Sequence, residues 1–571
     1  MCGIIAIAGD DLDSKKYATD RMLESLKKRG PDGVGSLNIP DCFLGHRRLS
    51  IIDIEGGVQP MTSGSLSITF NGEIYNFHEL KNQLLADGFT FNTRSDTEVI
   101  LAAYKKWGTD CLLHLDGMFT FCIWEDTEKV LFFARDRIGK KPLYYSFAEK
   151  DIVIASEIKA IKESNQVIPE VDFKAIDFYL KNMYIEPGKS VYKNIYQLPP
   201  AHYGVYKNGT LEIFRYWSLK KKSVEVSYEE AKSEVHRLIT KAIEKRLMSS
   251  DVEIGAFLSG GVDSSIVALI AASLIKKRLK TFGVSYKTYD ELPYIKKIAD
   301  KINSEVEWID INHFNIEDLN KIIEYFGEPH ADTSDMPQHV LSELASQKVK
   351  VVLSGDGADE FFLGYKWHRG DIEQPAINRL ENICAFDTAS RKRLWINKEN
   401  VVDNGVPMIK GNKFVEDMDQ VTLIDLNFHL PGQILSKVDR ASMMHGLEVR
   451  CPFLDIELIE YVYNLPYEYK VGQNGQKLIL RDILCDYTDN EFAYRKKQGF
   501  GAPIWDWLTE EGVKKNVYYH LVENSKIRSF LVGSEIDSYL NDFYDTTEKH
   551  ERAGQRVWVL FCLELWAKHN I

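Results

Sequence analysis

A cysteine follows the initiator methionine, in Met1-Cys2-Gly3-Ile4. A small residue at that place favours removal of Met1, which would put a thiol and a free α-amine on one residue. The amine titrates near ~8 when unperturbed, so thiol and base form a self-contained nucleophile. Other groups such a nucleophile needs follow within the next hundred residues. Arg48, in Gly45-His46-Arg47-Arg48-Leu49-Ser50, presents a guanidinium fork suited to a carboxylate. The Asn71 side chain and a neighbouring backbone N–H are suited to a tetrahedral oxyanion, expected at the end of a strand. Glu73 follows them, and Ser95-Asp96-Thr97-Glu98 reads both as a helix cap and as an anionic partner for a substrate ammonium. Together these groups are the inventory for hydrolysing the side-chain amide of glutamine.

Two glycine-rich loops spell a second chemistry. Leu258-Ser259-Gly260-Gly261-Val262-Asp263-Ser264-Ser265 lies between a strand pattern and a helix pattern. Successive N–H groups and the helix start favour a phosphate there. Asp263 among phosphates needs a bridging cation, which implies Mg²⁺. No Gly-Lys-Ser/Thr closes the loop, so it is not a Walker A sequence. Leu353-Ser354-Gly355-Asp356-Gly357-Ala358-Asp359-Glu360 also follows a strand pattern. It sets carboxylates beside glycines at what should be the C-terminal edge of the same sheet, where open α/β sheets bind ligands.

The elements that position these groups fall into two rhythms. Residues 1–215 read mostly as short strands, at 66–70, 118–124, 130–134, 143–147 and 152–155, with turn signals such as Asn71-Gly72 and helices near 78–85 and 97–106. Strands in runs predict an α+β layered domain. From 225 to 571 strand and helix alternate. A helix at 228–247, a strand at 253–258 and a helix at 264–274 come first. Strands at 281–286, 305–311 and 349–353 follow, interleaved with helices, and the chain is largely helical beyond 365. Alternation predicts a doubly wound parallel sheet.

Composition narrows the class. At 571 residues more than one core is expected. A formal charge of −13 argues against a nucleic-acid partner. No apolar run is long enough for a bilayer, and acidic Asp10, Asp11 and Asp13 stand where a signal peptide would be basic. Eight cysteines without paired spacing suit a reducing compartment, so a cytoplasmic address is expected and no zinc site is implied.

With these motifs in order, the first half resembles the class II glutamine amidotransferase domain. The likeness runs through Arg29-Gly30-Pro31-Asp32, His46 to Ile51, Asn71 to Asn76, Ser95 to Glu98, Gly117-Met118-Phe119 and 135–145. The resemblance implies an N-terminal-nucleophile four-layer αββα sandwich. It assigns Cys2 as nucleophile, Arg48 to the glutamine carboxylate, Asn71 and Gly72 to the oxyanion, and Glu73 and Asp96 to the α-amine. The second half resembles pyrophosphate-loop ATPases of the adenine nucleotide alpha hydrolase-like α/β type. The whole is similar to the glutamine-hydrolysing asparagine synthetase family, with further matches at 439–443, 448–455 and 477–481. This implies that Ser259, Gly260, Gly261, Asp263 and Ser264 cradle pyrophosphate. Leu258, Val284, Ser354 and Gly355 would meet ATP, and Asp263 and Asp359 would hold Mg²⁺. Lys477 would stabilise charge during adenylation and amide formation, with Asp356, Tyr365 and Glu448 as further candidates for acceptor or transition-state roles. The basic segment Arg495-Lys496-Lys497-Gln498-Gly499-Phe500-Gly501 is a candidate to close over phosphates. Glutamine, ATP and aspartate are the expected partners, with no nucleic acid and no membrane, and a homodimer is an open expectation. Where some members carry Thr-Thr-x-Arg-Ala-Ser, this chain has His330-Ala331-Asp332-Thr333-Ser334-Asp335, without the arginine. The acceptor is therefore aspartate or another carboxylate, such as a uronic sugar.

Overall fold

The computed structural model describes residues 1–10, 12–286, 291–369, 383–402, 417–473, 475–496, 500–545 and 551–571. Lys497, Gln498 and Gly499 of the basic segment lie outside the described residues.

The first half is built on two six-stranded antiparallel sheets. One has the spatial order Tyr196–Gln197, Tyr144–Ala148, Asp151–Ala155, Gly3–Ala8, Cys42–Arg48 and Gly33–Ile39. The other runs Thr210–Arg215, His202–Lys207, Val130–Arg135, Gly117–Glu125, Leu66–Ile74 and Met61–Ser63. Side chains alternate across each strand. Ile4 and Ala6 therefore meet Trp124, Leu131 and Phe133 between the sheets, while Ile5 and Ile7 face Met22, Leu23 and Ile161 of the helices Thr19–Ser25 and Ile158–Lys162. On the other side Phe70 and Phe121 pack on Leu80 and Val99 of the helices Phe77–Ala86 and Asp96–Trp107. The layers are thus αββα, and Cys2 immediately precedes a central strand.

One local expectation is corrected. Asn71-Gly72 is not a turn and does not end its strand. Both residues lie inside Leu66–Ile74, with Asn71 opposite Thr120 and Gly72 opposite Phe119. Gly72 is needed for close approach: a Cβ there would stand 2.1 Å from the Met118 carbonyl oxygen.

The second half carries a five-stranded sheet in the order Glu305–Asp310, Lys280–Ser285, Ile254–Phe257, Val351–Leu353 and Glu448–Arg450. All four pairings are parallel. Winding reverses between Ile254–Phe257 and Val351–Leu353, and such a switch point opens a crevice at the strands' C-terminal ends. Both glycine-rich loops emerge there, side by side. The edge strand Glu448–Arg450 comes from the region beyond 365. Elsewhere that region is helical, as in Leu435–Met443, Leu478–Cys485 and Glu551–Asn570. The halves are tied together by the helix Phe173–Asn182, whose buried Asp177 bonds Arg391 and accepts the Trp395 indole N–H at 2.8 Å.

Candidate active sites

Cys2 is 8% exposed, and its N–H donates to Asn71 Oδ1 at 2.9 Å. That bond leaves the Asn71 Nδ2 amide buried with no partner among the described residues. An unused buried donor is costly unless the acceptor of a ligand meets it. Burial pushes the Cys2 thiol above its ordinary pKa, against the pull of the N-terminal ammonium. The thiol therefore needs a base to become a nucleophile.

Around it lie three buried carboxylates. Glu448 receives the Met1 ammonium at 3.1 Å and the Arg450 guanidinium at 2.7 Å. Burial opposes ionisation, yet these two cations hold Glu448 down to about 2. Glu73 Oε2 accepts from Arg450 at 2.9 Å, while Glu73 Oε1 is buried without a partner among the described residues. Burial pushes Glu73 up, with Arg450 pulling the other way. Asp96 accepts the Ile74 N–H at 3.1 Å, and burial raises it to about 6. Ser95 caps its helix by accepting from the Thr97 N–H. Glu448 thus lies beside the N-terminus. The Arg48 guanidinium is held by the carbonyls of Ile52, Asp53 and Ile54 at 3.1, 2.8 and 2.7 Å, so in this state its fork faces a loop.

Two residues that the motifs did not single out join the halves. Arg29 donates to the Cys2 carbonyl at 3.0 Å and pairs with Asp439 at 2.7 Å and Glu157 at 3.1 Å. Arg450 does the same at Glu73. Both lie in quoted motifs, but spacing alone gives no hint of a partner hundreds of residues away.

At the sheet's C-terminal end the loops touch. A Cβ on Gly355 would stand 2.9 Å from Asp263 Cβ, and one on Gly260 would meet Tyr294 Cβ at 2.6 Å. Gly260 has φ +69°, a conformation open to glycine. Ser259 and Ser264 hydroxyls bond at 3.0 Å, and Gly261 N–H donates to Ser259 Oγ at 3.3 Å, which folds the first loop into a cradle. Leu258 N–H bonds the Phe282 carbonyl at 2.8 Å, and buried Val284 lies on that neighbouring strand. Ser354 N–H bonds the Arg450 carbonyl at 2.9 Å.

Lys477 crosses both loops, 2.6 Å from Asp263 and 2.8 Å from Asp359. Burial opposes its charge, but the two carboxylates raise its pKa above the ordinary lysine value. Gly364 makes room for it, since a Cβ there would lie 2.0 Å from Lys477 Cε. Two carboxylates converging on one cation fit a divalent ion whose other ligands are phosphates and water. Among the described residues no cluster of three or more His, Cys, Asp or Glu could hold a metal unaided.

In the segment 330–337, Lys437 supplies the cation, 2.7 Å from Ser334 Oγ and 3.5 Å from Asp332. Despite burial, Lys437 keeps Asp332 below the ordinary carboxylate range. Nearby, the Tyr365 hydroxyl donates to Glu360 at 2.8 Å, and burial raises Glu360 to about 8.

An αββα half with a cysteine at its second residue, joined to a doubly wound half with paired glycine-rich loops, is the layout of a glutamine-dependent amidotransferase, a ligase that forms carbon–nitrogen bonds. The comparisons agree. Residues 1–217 match the glutamine amidotransferase domain and residues 234–568 match asparagine synthase. The chain belongs to the asparagine synthase family. It is 32% identical to asparagine synthetase [glutamine-hydrolyzing] 3 of Bacillus subtilis, over 93% of each chain. To asparagine synthetase [glutamine-hydrolyzing] 1 of the same organism it is 28% identical, over 100% of this chain and 97% of that one. A more distant relative is amidase chry2 of Gibberella zeae, at 27% identity over 90% and 92%. Among the described residues no helix is long and apolar enough to cross a membrane.

Proposed function

We propose that this chain makes asparagine from aspartate, glutamine and ATP. Once Met1 is removed, the α-amine of Cys2 takes the thiol proton. Sγ then attacks the glutamine amide carbon, with Asn71 Nδ2 and the Gly72 N–H facing the oxyanion. The α-ammonium returns that proton to the departing nitrogen, ammonia leaves, and water cleaves the thioester to glutamate. In the other half, the β-carboxylate of aspartate attacks the α-phosphorus of ATP and expels pyrophosphate. Ammonia then attacks the acyl carbon and expels AMP. Activation is needed because a carboxylate alone is a poor electrophile.

Ser259, Gly260, Gly261 and Ser264 would bind the phosphates, Leu258, Val284, Ser354 and Gly355 the rest of ATP, and Lys477 the charge that develops as pyrophosphate departs. Asp263 and Asp359 would hold Mg²⁺, which neutralises phosphate charge when bound. Sequestration would keep ammonia unprotonated between the sites.

The observation that carries this reading is the apolar contact between the two halves beside Cys2. Met1, Tyr75 and Met118 of the first half form one buried apolar cluster with Met443 of the second. The test is pyrophosphate release with ATP, Mg²⁺, glutamine and a panel of carboxylic acids. Aspartate should support it. Failure of aspartate with success of a uronic acid would replace the acceptor, and failure of every acid would overturn the adenylation step.

A further inference from the structure

We propose that Arg450, contributed by the nucleotide-binding half, is a positioning residue of the glutamine site and links that site to the nucleotide loop. This rests on the reading of Glu73 as a partner of the glutamine α-ammonium.

Arg450 is 0% exposed, and its guanidinium is fixed on every side. Nε donates to Glu448 at 2.7 Å and Nη2 to Glu73 at 2.9 Å. Nη1 donates to the carbonyls of Arg246 at 2.6 Å and Ser249 at 2.9 Å. A planar fork so held has one orientation, which a lysine could not reproduce. It grips Glu73 by one oxygen and leaves the other, Oε1, buried and unpartnered among the described residues.

The charges explain what that oxygen awaits. Glu73, Asp96 and Glu448 are three buried carboxylates; Met1 and its ammonium leave when the nucleophile is unmasked, and Arg450 is the side-chain cation of the described residues that pairs with two of the three. Glu73 Oε1 and Asp96 have no cation in contact among the described residues, and a buried carboxylate without one is expensive. The α-ammonium of glutamine is the missing cation.

The same residue reaches the other site through its main chain. The Arg450 carbonyl accepts the N–H of Ser354, which opens the second nucleotide loop, and the strand Glu448–Arg450 pairs in register with Val351–Leu353. Glutamine that draws Glu73 toward its ammonium changes the load on Arg450, and so on the strand holding that loop. Linkage is reciprocal, so ATP must alter glutamine affinity by the same factor.

The test compares wild type, Arg450→Lys and Arg450→Met in two assays: glutamate formation from glutamine with and without ATP, and pyrophosphate release driven by free ammonia. The expected result for Arg450→Met is a glutamine KM raised about 10- to 100-fold, the worth of one charged hydrogen bond. ATP should no longer affect that KM, and ammonia-driven release should persist. Arg450→Lys should fall between. An unchanged KM in either variant overturns the proposal, as does a parallel loss of glutamine- and ammonia-driven rates, the mark of a merely structural role. If Arg450→Met does not fold, Arg450→Lys decides alone. Wild type that does not hydrolyse glutamine would instead overturn the parent reading.

Discussion

Replacing Lys477 with methionine removes a cation shared by the two glycine-rich loops while keeping most of its volume. The ammonium makes contacts of 2.6 and 2.8 Å to Asp263 and Asp359 at 3% exposure. Hydrogen bonds to charged groups contribute about 1.5–3 kcal/mol each. A preorganised donor lost from a developing charge costs about 10²- to 10³-fold in rate, or about 2.7–4 kcal/mol. The backbone supports the same reading. Lys477 sits at φ +58° as the N-cap of Leu478–Cys485, a left-handed position that a non-glycine side chain occupies at a cost of about 1–3 kcal/mol. Pyrophosphate release driven by free ammonia should therefore fall about 10²- to 10³-fold in Lys477→Met, with glutamine hydrolysis at Cys2 little changed. A fall of only a few-fold, or an equal loss at both sites, would refute the argument that this lysine acts on departing pyrophosphate.

Asn71→Ala should lower the kcat for glutamine hydrolysis by about 10²- to 10³-fold by removing an oxyanion donor, and an effect confined to KM would contradict that role. Asp96 is held near 6 by burial, so it is charged above that pH and neutral below it. Glutamine KM should rise about tenfold between pH 7.5 and pH 5, and a flat profile would remove Asp96 from ammonium binding. Asp439→Asn leaves Arg29 and Lys141 buried without their shared carboxylate. Losing one member of a buried pair costs about 3–5 kcal/mol, which should appear as faster limited proteolysis around 217–228 and an earlier thermal transition. Unchanged behaviour in both would deny Asp439 a docking role.

The legible parts of the fold were those with a clean period. Leu66–Ile74, Gly117–Glu125 and the helix Tyr228–Met248 stand within a few residues of their expected bounds, and the two loops sit together at a switch point as strand–loop–helix order implied. Gly3–Ala8 escaped because it is buried on both faces and shows no alternation. Asn71-Gly72 read as a turn because that dipeptide's usual use is in hairpins, whereas here glycine admits a neighbouring carbonyl. Glu448–Arg450 was invisible for another reason. Three residues carry no periodicity, and two charged ones argue for a surface unless their partners are known. Those partners, Met1 and Glu73, come from the far end of the chain. Site chemistry was therefore readable by residue type, while the charge network joining the sites was not.

The central claim is that Cys2 frees ammonia in one half for use in the other. Its most direct test is pyrophosphate release by Cys2→Ala, with glutamine or with ammonium chloride as nitrogen source. The account predicts that release driven by glutamine disappears while release driven by ammonia stays near the wild-type rate. Glutamine-driven release that survives the substitution, or ammonia that fails to restore it, would contradict the account.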